Sequence, residues 1–285
     1  MALCLVTGHQ GYIGSALYAK LISLDHDVVG IDYKKDDSWD ILNGLERIEQ
    51  HDFDYVFHLA CIPRVAYSVE QPVHTMMNNI LSTSIVLDFA KRKKVKRVIY
   101  SGSSSVIGNG DGPTSPYALQ KLTSEMETKL YSDLYGIDTV TLRYFNVYSP
   151  DQPADSPYAT AVANWMRFIR DGNNPFITGD GEQRRDMAHR DDIVSANIFA
   201  MEHDGPLAGQ HYDVGTGDNI SLNEMKDIVN GHFPEVQFDY IEDRKGDVLL
   251  TKADMSPLKA LGWEPKINIK EGISDCFKRL KGTLT

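Results

Sequence analysis

The chain has 285 residues, 42% of them hydrophobic and 24% charged, and carries a formal net charge of −11. That length suits one large domain or two modest ones, and the composition is that of an ordinary soluble globular protein. The acidic balance argues against a nucleic-acid surface, no apolar stretch approaches the roughly 20 residues a membrane helix needs, and nothing at the N-terminus reads as a signal peptide. Cys4, Cys61 and Cys276 are odd in number, far apart and without metal-ligand spacing. They read as reduced core thiols of a cytoplasmic protein rather than a disulfide framework, and no metal site is expected.

Leu3–Val6 is a short apolar run that opens straight into Thr7-Gly8-His9-Gln10-Gly11-Tyr12-Ile13-Gly14. The spacing G-x-x-G-x-x-G is a variant of the dinucleotide fingerprint. Gly8 permits a tight turn, Gly11 lets the backbone approach a pyrophosphate, and Gly14 lets the next helix pack closely on its strand. That helix carries Ile13, Leu17, Leu21 and Leu24 on one face. Its N-terminus would offer N–H groups and a positive dipole end to phosphates. Asp32 ends the second run, Val28–Ile31. A carboxylate there hydrogen-bonds the ribose 2′-hydroxyl of NAD and repels the 2′-phosphate of NADP. Lys34 and Lys35 lie close enough to soften that preference. A turn with no ligand is the plain alternative.

Tyr55–Leu59, Val98–Ser101 and Thr139–Leu142 continue the series. Runs of four or five apolar residues suit strands buried on both faces of a parallel sheet. The basic run Lys91–Lys94 with Lys96 and Arg97 reads as a solvated helix C-terminus favoured by the helix dipole, rather than a polyanion site. Ser103-Ser104-Ser105 falls at the carboxyl edge of the sheet, where a hydroxyl could hydrogen-bond a reacting group. Tyr117 and Lys121 lie one helical turn apart, on a helix whose Leu119, Leu122, Met126, Leu130 and Leu134 share a face. A free tyrosine is a poor base at neutral pH. An ammonium beside it, together with an oxidised nicotinamide, favours the phenolate. The alternative is an exposed tyrosine stacked on a lysine stem; the glycine turn and the strand-end serines weigh against it.

After about Pro150 proline and glycine become frequent, and a helix is expected from about Tyr158 to Arg170. Ser221 with Glu224 forms a capping box, and Ser256-Pro257 reads as an N-cap and first-turn proline with Gly262 closing the helix. The alternation predicts an α/β fold, a Rossmann doubly wound parallel sheet over residues 1–150, with a segment near 186–205 returning to it. A smaller C-terminal α/β domain over 151–285 would mainly bind substrate.

Together these residues resemble the extended short-chain dehydrogenase/reductase family, in its nucleotide-sugar epimerase/dehydratase branch. His58-Leu59-Ala60 is similar to the family's H-x-A at the end of strand four, and Asn79 sits where the family has a structural asparagine. Leu142-Arg143-Tyr144-Phe145-Asn146-Val147-Tyr148 resembles its L-R-Y-F-N-V-Y signature. Gly179-Asp180-Gly181-Glu182-Gln183-Arg184-Arg185-Asp186 is similar to its G-D-G-x-x-x-R-D loop. Arg244 with Gly246-Asp247-Val248 and Leu261-Gly262-Trp263-x-Pro265 resemble its late elements.

The resemblance implies NAD as cofactor, held by Gly8, Gln10, Gly11, Tyr12, Ile13, Gly14, Asp32, Leu59, Ala60, Tyr117, Lys121 and Tyr144, with the adenine contact at Asp40-Ile41. It implies a nucleotide-diphosphate sugar, most readily a UDP-sugar, held by Ser103, Asn146, Arg185, Arg244 and Asp247, with Thr251 at a gatekeeper position. Dehydratases of the branch carry Asp and Glu at the positions of Ser104 and Ser105, decarboxylases keep a glutamate at the second, and epimerase-reductases have a cysteine there. Serine at both implies 4-epimerisation. In that mechanism Tyr117 takes the 4-hydroxyl proton with help from Ser103, hydride moves to the nicotinamide, and the 4-keto sugar turns and is re-reduced. The other readings are a reductase or dehydrogenase with net hydride transfer, and a non-catalytic dinucleotide sensor. Family members pair through helices including the one bearing Tyr117, so a homodimer is expected. Two loops are short: 26 positions separate Asp32 from His58, and nine separate Gly108 from Tyr117.

Overall fold

A computed structural model describes residues 1–34, 39–155, 159–242 and 248–284. The chain divides into two compact units, one of Met1–Arg143 with Ile193–Tyr212 and one of Tyr144–Asp192 with Asp213–Thr285. Ile193–Tyr212 thus returns to the first unit. Within the second, β6 (Val147–Tyr148) lies parallel to β9 (Ala188–His189).

The first unit is built on β1 (Leu3–Thr7), β2 (Asp27–Ile31), β3 (Tyr55–His58), β4 (Arg97–Ser103) and β5 (Asp138–Tyr144). With β10 (Gln210–Val214) they form a six-stranded sheet in the order β10-β5-β4-β3-β1-β2. β1 pairs parallel with both β2 and β3, and β3 parallel with β4. The chain therefore moves outward from β1 in one direction and then the other. The switch between β1 and β3 opens a crevice at their carboxyl ends, where folds of this kind bind ligands. The apolar runs predicted as strands are these strands. Leu5, Val6, Val56, Phe57, Val98, Ile99, Val140 and Leu142 are all buried, as a sheet covered on both faces requires.

His58 ends the third strand, not a fourth. Among the described residues the short stretch between Asp32 and β3 forms 3₁₀ turns at Ile41–Asn43 and Glu46–Ile48. Ile41, Leu45 and Ile48 plug the core beside Leu5 and Ile31 instead of pairing on the sheet edge. The basic run is also only partly solvated. Arg92 pairs with Glu49 and Asp88 at the surface, but Arg97 is buried. Its guanidinium donates to Asp138 and to the carbonyls of Ala200, His203 and Gly205, at the end of α7 (Arg190–Glu202) and just beyond it.

The second unit packs α6 (Ala161–Arg170), α8 (Leu222–His232) and α10 (Ile269–Leu284) around Tyr148, Trp165, Ile177, Met225, Phe233 and Phe277. The helix expected from Tyr158 starts at Ala161, capped by Thr160. The capping box at the start of α8 is present in both directions. At α9 (Ser256–Ala260) the expected N-cap is not one: Ser256 is the first helical residue, and its amide donates to Asp254 Oδ1 at 3.0 Å.

Candidate active site

The first unit gathers most of the predicted residues at the carboxyl ends of β1 to β4. At the glycine turn, Gly8 has φ +71°, and a Cβ there would lie 2.9 Å from the Ala60 backbone. One on Gly14 would lie 2.1 Å from the Gly8 carbonyl oxygen. Neither position tolerates a side chain. α1 (Tyr12–Ser23) has Gly11 at its N-cap, which brings no capping side chain over the helix N-terminus. Asp32 is buried. Its Oδ2 accepts the Gln10 N–H and its Oδ1 the Lys34 N–H, each at 3.0 Å, so the carboxylate is fixed against the turn. Lys35 lies outside the described residues. A narrow turn, an uncapped helix end and an anchored carboxylate are what a dinucleotide requires, so the residues fit NAD.

Asp40 and Ile41 are engaged in structure. Asp40 Oδ1 accepts the Leu42 N–H and caps a 3₁₀ turn, and Ile41 is buried in the core. Leu59 and Ala60 are held by their amides, both of which donate to Thr7 Oγ1 at 3.2 Å. The same hydroxyl meets His58 Nδ1 at 2.8 Å. Burial and the Lys121 charge hold the His58 pKa down at about 3, so the ring is neutral.

α5 (Pro116–Tyr135) is capped by Ser115, whose Oγ accepts the Ala118 N–H, and the Tyr117 N–H donates to Ser68 Oγ in α2 (Val65–Glu70). Tyr117 and Lys121 are 8% and 2% exposed, so the exposed-pair alternative fails. Lys121 Nζ donates to the Ser101 carbonyl at 2.7 Å and lies 4.9 Å from the Tyr100 ring centroid. Ser103 ends β4 with its hydroxyl 2.9 Å from Ser105 Oγ and within hydrogen-bonding influence of the Tyr117 phenol. Burial pushes that phenol up to about 12, against the pull of Lys121 and Ser103. Lys121 alone therefore does not bring the phenol near neutrality, because desolvation outweighs the ammonium; the sequence argument calls on the oxidised nicotinamide as well. Burial also opposes the Lys121 charge. The anionic forms of Cys61, Tyr100 and Tyr117 outweigh it, and its pKa rises.

In the second unit Asp186 is the hub; motif reading has it as the last residue of the G-D-G-x-x-x-R-D loop and gives it no role of its own. Its carboxylate accepts from Thr216 N and Oγ1, Gly217 N and Ala253 N at 2.8–3.0 Å. Its amide donates to Thr251 Oγ1, and its carbonyl accepts from Asn146 Nδ2. Asn146 and Thr251 are thereby tied to the residue after Arg185, which is half-buried on β8 (Arg184–Arg185). Tyr144 is buried at the start of this unit. Arg244 and Asp247 lie outside the described residues.

The turn, the anchored carboxylate and the Tyr-Lys-Ser group define a dinucleotide-dependent enzyme of the oxidoreductase-like α/β class. The chain belongs to the NAD dependent epimerase/dehydratase family, whose model matches residues 4–215. A UDP-glucuronate 4-epimerase of Thermodesulfobacterium geofontis is 30% identical over 96% of this chain and 94% of that protein. Among solved structures, the UDP-glucose 4-epimerase of Thermotoga maritima with UDP-glucose superposes with a TM-score of 0.90 at 30% identity, covering 99% of this chain and 100% of the other. The UDP-N-acetylglucosamine 4-epimerase of Methanobrevibacter ruminantium, in complex with UDP-N-acetylmuramic acid, gives 0.89 at 31% identity and 99% of each chain.

Proposed function

We propose that this NAD-dependent enzyme is a nucleotide-sugar 4-epimerase acting on a UDP-hexose or a UDP-N-acetylhexosamine. The observation that carries the reading is the convergence of Tyr117, Lys121 and Ser103 beside hydroxyls, not carboxylates, at positions 104 and 105. Such a site moves a proton at one hydroxyl and has no strand-end acid for eliminating water. Tyr117 takes the sugar's 4-hydroxyl proton while Ser103 holds that oxygen. Lys121 stabilises the phenolate and holds the cofactor ribose. NAD, when bound, would supply the hydride acceptor and donor for C4 of the sugar. The positive charge of an oxidised ring would add to that of Lys121 and so oppose the desolvation of the Tyr117 phenol. Asn146, Arg185 and Arg244 hold the diphosphate, for which arginine forks are suited, and Asp247 is a further substrate contact. The small Thr251 leaves room for an N-acetyl group.

The test is to incubate the purified protein with UDP-galactose and no added NAD. Conversion to UDP-glucose is expected; an enzyme with net hydride transfer converts nothing until a dinucleotide is supplied, and then consumes it. The proposal includes a homodimer. The outer face of α5 carries Leu119, Met126, Leu130 and Leu134 at 50–65% exposure. Beside it lie Val65 and Val69 on α2 and Val73 and Met76 on α3 (Pro72–Met76), also exposed. An apolar patch of that extent marks an interaction site. No described helix is long and apolar enough to cross a membrane, and the three free thiols accord with the cytoplasmic setting included in the proposal.

A further inference from the structure

Gln120 stands between Tyr117 and Lys121 on α5, is buried, and uses both ends of its amide. Its Oε1 accepts from Asn79 Nδ2 at 2.8 Å. Its Nε2 donates to Thr75 Oγ1 at 2.9 Å and to the Pro72 carbonyl at 3.3 Å, both on α3. Asn79 carries the chain of contacts onward: its Oδ1 accepts the Ile62 N–H at 2.7 Å, and its Nδ2 donates to the Ile62 carbonyl at 3.2 Å. Ile62 lies in the loop that begins with Leu59 and Ala60 and runs to α2. Asn79 lies within a single π-helical turn, Met77–Leu81, and its carbonyl accepts from Ser124 Oγ on α5 and from Thr83 Oγ1. Single π turns are rare and concentrate at functional sites.

A buried amide that loses its partners costs the full desolvation of its polar atoms. α5 therefore has one rotational setting about its axis in which Gln120 meets Asn79, Thr75 and Pro72 together. Residues i, i+3 and i+4 share a helical face, so the same setting aims Tyr117 and Lys121. We infer that Gln120 is a positioning residue. It locks the rotation of α5 so that Lys121 Nζ reaches the Ser101 carbonyl and stays beside the Tyr117 phenol. The inference rests on the proposed roles of Tyr117 and Lys121.

Gln120→Leu keeps roughly the volume and removes all three bonds. The variant should keep its NAD and a KM for UDP-galactose within about threefold of wild type. A slight rotation of α5 should lower kcat by about 10²-fold. Separating the phenol from its cation should also move the pH profile of kcat to higher pH, so that alkaline conditions recover part of the loss. A merely structural role would lower the melting temperature and leave the pH profile of the folded enzyme in place. Wild-type kcat with an unshifted profile overturns the inference. If Gln120→Leu does not fold, Thr75→Val removes one partner from a different helix; the same alkaline shift with a smaller loss is expected, and an unchanged profile overturns the inference. Tyr117→Phe run alongside separates the two levels: normal turnover in that variant defeats the reading of the site itself, whereas an inactive Tyr117→Phe with a wild-type Gln120→Leu defeats only the role of Gln120.

Discussion

At Tyr117 burial and charge act in opposite directions. Removing the phenol from water raises its pKa to about 12, and Lys121 and Ser103 only partly offset this. Rate should therefore rise with pH as the phenolate fraction grows. Tyr117→Phe should retain NAD while losing roughly 10²–10⁴-fold in kcat, the contribution of one positioned base; steady-state kinetics with a cofactor assay checks both halves. His58 shows the same desolvation acting on stability. Its pKa falls from 6.5 to about 3 on burial, so the unfolded chain takes up a proton that the native chain refuses. This stabilisation is complete above pH 6.5 and is lost as pH drops toward 3, by about 1.4 kcal/mol per unit within that window. Urea melts at pH 7 and pH 5 should show a smaller drop for His58→Gln than for wild type, and equal drops would contradict the assignment. The spacing of Tyr117 and Lys121 was legible in the sequence. The sign of the phenol's net shift was not, because it depends on the elements that cover it.

α5 inverts the usual amphipathic arrangement. Of the five residues expected on one face, Leu119, Met126, Leu130 and Leu134 point outward and Leu122 is half-buried. The buried face carries Gln120, Lys121, Ser124 and Thr128. Periodicity identifies a face without saying what covers it. Here the inner side faces a polar network around Asn79 and Ser101, which leaves the apolar side for a partner. Met126→Glu should dissociate the proposed dimer while leaving the monomer folded, read by light scattering and circular dichroism; an unchanged mass would move the interface elsewhere. The capping box of α8 was legible because it is complete within four residues. The first turn of α9 was misread because the helix begins at Ser256 itself, whose amide donates to Asp254, with Met255 at the N-cap.

Over the whole molecule, Ile193–Tyr212 returns to the first unit, and Arg97 ties the stretch around the end of α7 to β4. One guanidinium on β4 gathers carbonyls from the end of α7 and beyond it, together with the Asp138 carboxylate. Arg97→Met would leave the half-buried Asp138 without its cation and those carbonyls short of a donor. A loss of about 3–5 kcal/mol in unfolding free energy is expected, measurable by urea titration; a loss below about 1 kcal/mol would show that the segment is held by packing alone.

The glycine turn, Asp32, the strand-end serines and the Tyr117–Lys121 spacing were fixed by sequence alone. Each is a short-range geometric requirement on backbone conformation or helical phase, satisfied within a few residues. Tertiary structure decided which polar groups lose water and what replaces it: the buried Arg97 inside a basic run, the Asp186 hub, the outward apolar stripe of α5 and the anchoring of Gln120. Those outcomes depend on segments tens of residues apart meeting in space, and desolvation acts only after they have met.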